Sequence, residues 1–139
     1  MKLICRENKL KKFSGSKLEF LKKYYKYDLD HALDIEIGKT YNVYGIIFWE
    51  NVPFYYIYKE NMDYPTPVCG FFFDLKNPNF SKYWILRTIG NLNGFETIVA
   101  FKEWADNKIF YENLLNEELY EIKLMQKYKK LIDEEQKNI

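Results

Sequence analysis

Between Tyr41 and Tyr58 the chain reads YNVYGIIFWENVPFYYIY, and eight of these residues are aromatic. Apolar side chains do not alternate with polar ones here. In an extended chain Tyr44, Ile46 and Phe48 share one face, while Val43, Ile47 and Trp49 share the other. Neither face can be left in water, so this stretch demands a sheet covered on both sides. A sheet wrapped on one face and plated with helices on the other meets that demand.

The texture from Gly38 to Phe101 supports the same architecture. Short runs rich in Val, Ile, Tyr and Phe are separated by turn residues at regular intervals, as in an antiparallel meander. Five strands are expected, near Thr40–Trp49, Pro53–Lys59, Pro67–Leu75, Lys82–Ile89 and Phe95–Phe101. Glu50-Asn51-Val52-Pro53 forms a tight reversal, and Asn93-Gly94 supplies two residues tolerant of positive φ for the last hairpin. Each proline of Tyr64-Pro65-Thr66-Pro67 drives its predecessor out of the helical region, so this segment is extended. Gly70 inside a strand pattern signals a bulge or a close backbone approach.

Helices flank the sheet. Ser16-Lys17-Leu18-Glu19 has the form of a capping box, followed by a helix over Lys17–Tyr27 with Leu18, Leu21 and Tyr25 on one face. Met1–Arg6 is a short strand or an ordered arm. Lys102–Leu115 reads as one helix, and Asn116 as the N-cap of a final one. Leu115, Leu119, Ile122, Met125, Tyr128 and Ile132 recur at helical spacing as a core stripe. The expected fold is therefore α+β and a single domain over 1–139. Its parts are a basic N-terminal arm and helix (1–37), an antiparallel five-stranded sheet (38–101) and C-terminal helices packed on it (102–139).

A net charge of +1 conceals a segregation. Residues 1–27 hold nine Lys and Arg against two Glu, a net +7, and the remaining residues carry 12 basic and 18 acidic groups, a net −6. This is a basic face, too dilute for a dense nucleic-acid tail. No stretch resembles a signal peptide or approaches a membrane-spanning length, which leads to the expectation of a cytoplasmic protein with no membrane partner. Cys5 and Cys69 lie far apart, form no metal knuckle or redox pair, and are expected to be buried free thiols.

Candidate chemistry is sparse. His31, the single imidazole, sits in DLDHALD with no visible nucleophile or charge stabiliser, and the set Asp28, Asp30, Asp34 and Glu36 lacks the glycine and terminal glutamate of an EF-hand loop. No catalytic residue, metal ligand or cofactor site is assigned, and no enzyme is expected. The alternation of Phe54, Tyr56 and Tyr58 is more informative, since tyrosine-rich surfaces bind well. With Glu50, Asn51, Glu60, Asp63 and Tyr64 these rings outline a hairpin edge that could carry a partner. Base stacking would need basic surroundings, and here they are acidic.

Three segments carry a resemblance: GKTYNVYGIIFWENVPFYYI (38–57), YPTPVCGFFFDLKNPNFSKYW (64–84), and IVAFKEWADNKIFYENLL with the acidic helix after it (98–121). With Phe73-Asp74, Trp84 and the Phe101-Lys102-Glu103-Trp104 entry to a helix, they resemble small bacterial immunity proteins of polymorphic and contact-dependent toxin systems. The resemblance implies an SH3-like curved sheet with terminal helices. It also implies a protein that binds a cognate toxin and occludes its active site, with no chemistry of its own. Two other readings compete: a nucleic-acid-binding module using the basic N-terminal segment, for which steep salt dependence is diagnostic, and a small enzyme with a carboxylate general base.

Overall fold

The computed structural model describes residues 1–92 and 95–138. Its strands are β1 (Lys2–Cys5), β2 (Thr40–Asn42), β3 (Gly45–Trp49), β4 (Val52–Ile57), β5 (Thr66–Cys69), β6 (Phe73–Asn77), β7 (Trp84–Leu92) and β8 (Phe95–Phe101). The helices are α1 (Gly15–Tyr24), α2 (Lys102–Ala105), α3 (Phe110–Leu115) and α4 (Leu119–Lys137). All strand pairing is antiparallel, in two sheets of order β2-β1-β6 and β5-β4-β3-β8-β7.

The fold is α+β, and each of the five expected segments gives a strand to a five-stranded antiparallel sheet, but a second, three-stranded sheet stands beside it. The run Thr40–Trp49 divides at one peptide: the Val43 amide donates to the Met1 carbonyl, beside the first sheet, and the next amide, Tyr44, donates to the Tyr56 carbonyl in the second. Pro67–Leu75 divides as well, at a 3-10 turn over Gly70–Phe72 that carries the chain from β5, an edge of the larger sheet, to β6, an edge of the smaller. At that turn a Cβ on Gly70 would lie 3.0 Å from the Pro53 carbonyl oxygen, which is the close approach its glycine signalled. The Met1–Arg6 segment becomes the central strand of the smaller sheet.

Both faces of the larger sheet are covered. Phe54 and Tyr56, two apart on β4 and so on one face, meet Phe20 and Tyr24 of α1 and Trp104 and Tyr111 of α2 and α3. Tyr55 points the other way and reaches Phe73 of the smaller sheet. Phe54, Phe72, Phe101 and Phe110 are fully buried. Each such ring contributes roughly 1.5–3 kcal/mol relative to exposure.

Helix boundaries differ from expectation for local reasons. The extended N-cap residue is Ser14, with no side-chain cap bond, so Ser16 falls inside the helix and the capping box does not form. Lys102–Leu115 breaks in two because the Asn107 side-chain oxygen accepts from the Ile109 amide, an Asx turn that competes with helix continuation. Asn116 caps the end of α3 rather than the start of α4, whose N-cap is Glu118. The expected Asn93-Gly94 turn lies outside the described residues. Among the described residues no helix is long and apolar enough to cross a membrane.

Candidate binding surface around the third helix

The residues expected to form one hairpin edge are dispersed. Phe54 and Tyr56 are core residues, because α1, α2 and α3 cover the face they occupy. Glu50 and Asn51 are exposed at the tip of the β3–β4 turn. Glu60, Asp63 and Tyr64 follow the opposite end of β4, and six residues of strand separate the two groups by about 20 Å. Tyr58 is half-buried, packed edge-on to Tyr44 beneath the Lys129 ammonium. The eight residues therefore do not make one surface.

A concave surface does exist, built around α3. Gly45 has no side chain to hold α2 away: a Cβ there would lie 3.1 Å from the Trp104 ring. Trp104 thus lies close over β3, stacked near-parallel to Tyr111 at 6.2 Å and edge-on to Tyr56 at 4.6 Å. Tyr111 is pinned by its hydroxyl, which donates to the Pro65 carbonyl at 2.8 Å. Between these rings, the sheet residues Ile47, Ile89 and Ile98, and the Asn107–Glu112 segment lies a cleft of about 670 Å³ with a mostly apolar lining. Burial raises the Tyr56 phenol well above its ordinary range, with Tyr111 and Tyr24 adding to the effect.

A second hollow, of about 330 Å³, lies on the other side of Leu115 and is lined by Asp63, Tyr64, Glu117 and Met125. Two of the sequence-selected residues, Asp63 and Tyr64, come together here. The expected core stripe is divided here: Met125 and Ile132 are buried, whereas Leu115 is 46% and Leu119 62% exposed. Ile109 on the cleft lining is 53% exposed. Sequence spacing placed Leu115 and Leu119 in the core because the helical stripe was carried across the Asn116 junction, on either side of which the two residues stand. Glu117 instead takes φ +62°, and the chain turns there.

The acids around these hollows are unneutralised. Asp63, Glu112, Glu117 and Glu118 are exposed and form no ion pair among the described residues. By contrast Lys11 pairs with Asp30 and Lys23 with Glu50, so part of the N-terminal basic face is compensated within the chain.

Other candidate groups serve packing. His31 is exposed, its ring 4.4 Å from that of Tyr27. Cys5 and Cys69 are free and buried, and burial pushes their thiols up to about 11 and about 12. Where α4 meets the sheets, Asp133 accepts from the Tyr44 hydroxyl and from Asn42 and pairs with Lys129 at 2.8 Å. Burial alone would raise the Asp133 carboxyl, but Lys129, Tyr44 and Asn42 together outweigh it and hold it below the ordinary carboxylate range. Among the described residues no three His, Cys, Asp or Glu side chains converge as metal ligands would.

No protein-family model, curated protein or solved structure matches this chain.

Proposed function

We propose that this protein is a toxin-neutralising binding protein of the immunity type, which engages a cognate toxin domain with the surface around α3 and covers its active site. The observation that carries this reading is a paired concavity with an aromatic lining, bordered by exposed Ile109 and Leu115 and by unpaired carboxylates. Contact energy in protein interfaces concentrates in buried aromatic and apolar anchors, while surrounding charge sets encounter rate and partner choice. An acidic rim suits the basic cleft of an enzyme that handles anionic substrates. The resemblance of the segments 38–57, 64–84 and 98–121 to immunity proteins supports the same reading, with an SH3-like sheet as its structural counterpart.

The test is co-expression with the protein encoded by the neighbouring reading frame. Relief of its growth inhibition by this chain, together with a stable complex in size-exclusion chromatography, is the expected result. Undiminished toxicity with no complex would refute the reading.

A further inference from the structure

We propose that the cleft beside α3 receives a single aromatic side chain with a polar handle, Trp or Tyr, projected by a basic segment of the partner. The inference rests on the protein-binding reading above and names the chemistry of the contact. Its first support is Tyr56. The residue is only 4% exposed and lines the cleft, yet its hydroxyl has no hydrogen-bond partner among the described residues. The hydroxyl is not sealed from solvent, so it opens toward the cleft, where an entering indole N–H or phenol can take the place of water on it. The second support is shape. Trp104, itself buried between Phe110 and Tyr111, backs a wall on which the half-buried Tyr111 and the exposed Ile109 remain open to an inserted ring.

The third support is charge complementarity. The cleft lining itself balances Glu112 against Lys108, and the acidic excess lies in the adjoining hollow beyond Leu115, where Asp63 and Glu117 stand with no basic residue on the lining. None of the three carboxylates has an internal ion pair among the described residues. Lys or Arg flanking the anchor meets this rim, whereas flanking acids are repelled.

The measurement is an NMR titration of the full chain with three end-capped tripeptides, Lys-Trp-Lys, Glu-Trp-Glu and Lys-Ala-Lys. Lys-Trp-Lys is expected to shift the methyl signals of Ile98 and Ile109 saturably, Glu-Trp-Glu to bind about tenfold more weakly, and Lys-Ala-Lys to leave those signals in place. Tyr56→Phe removes an oxygen that nothing in the protein uses. It should therefore keep the melting temperature while weakening Lys-Trp-Lys about fivefold. Absence of saturation at the cleft, equal binding of the acidic peptide, or unchanged affinity in Tyr56→Phe overturns the proposal. So does a dimer in sedimentation equilibrium that Ile109→Arg abolishes, since a second copy would then be the occupant. Ile109→Arg, at the exposed mouth, also separates the two readings. If it abolishes peptide binding but leaves toxin neutralisation intact, this contact and the assignment of the interface to the α3 surface are both refuted, and only the immunity role stands. If the wild-type chain binds the peptide but neutralises no toxin, the immunity reading alone fails.

Discussion

Two glutamates occupy backbone positions that favour glycine or asparagine. Glu50 (φ +49°) and Asn51 (φ +66°) are the central residues of the two-residue β3–β4 turn, which needs positive φ at both and fits the second better than the first. Glu117, at φ +62°, follows the cap of α3; its amide donates to the Leu114 carbonyl, and the Glu118 amide reaches back to that of Asn113. This is the Schellman pattern with glutamate where glycine is preferred. Relief of the side-chain strain should make Glu117→Gly more stable by about 1 kcal/mol, read as a higher urea midpoint at unchanged slope. The same change should weaken partner binding, because Glu117 lines the hollow beside Leu115. A stabilised variant with full affinity would remove the acid from the interface. Tyr56 shows the limits of sequence at this scale. Its alternation with Phe54 places the two on one face of β4, with Tyr58 beyond the strand's end, but alternation is silent on whether that face meets water or a helix.

At the scale of elements, α2 and α4 hold the architecture by different means. Trp104 of α2 is buried among Tyr56, Phe101, Phe110 and Tyr111. Trp104→Ala should cost roughly 3–5 kcal/mol in chemical denaturation and empty the cleft wall at the same time. α4 docks through Tyr128, stacked on Phe101 at 4.0 Å with its hydroxyl donating to the Glu103 carboxylate, and through Asp133. The Asp133 carboxyl is depressed in the folded state, so its contribution is fully present above the unfolded value, near 4, and is lost as pH falls through the folded value. Asp133→Asn is expected to cost about 2 kcal/mol at pH 7 and to flatten the fall in stability on the acid side of the ordinary carboxylate range. An unchanged acid limb would mean that another carboxyl controls it. The existence and type of most elements were legible, since their periodicities are long and strong. Their junctions were not: the sheet change between Val43 and Tyr44, the Asx turn at Asn107 and the cap at Asn116 depend on single hydrogen bonds whose partners lie elsewhere in the fold or in alternative local geometries.

For the whole molecule, the two thiols offer a global probe. Cys5 lies in the central strand of the smaller sheet and Cys69 on an edge of the larger, both fully buried with thiols raised to about 11 and about 12. Neither should react with a thiol reagent such as DTNB at pH 8 until the fold opens, and both should then react together at the rate or population of global unfolding. Fast labelling of Cys69 alone would show that the β5 edge opens independently. The sequence by itself determined that this chain builds an antiparallel, aromatic-rich α+β fold whose larger sheet is covered on both faces, because a strand apolar on both sides can leave neither face in water. The tertiary structure decided that the strands divide between two sheets, that Phe54 and Tyr56 lie inward, and that Leu115, Leu119 and the unpaired acids gather around α3. Those outcomes depend on which distant segments compete for each face and each backbone amide, and a pattern of periods and turn residues records a segment's need for cover without naming what covers it.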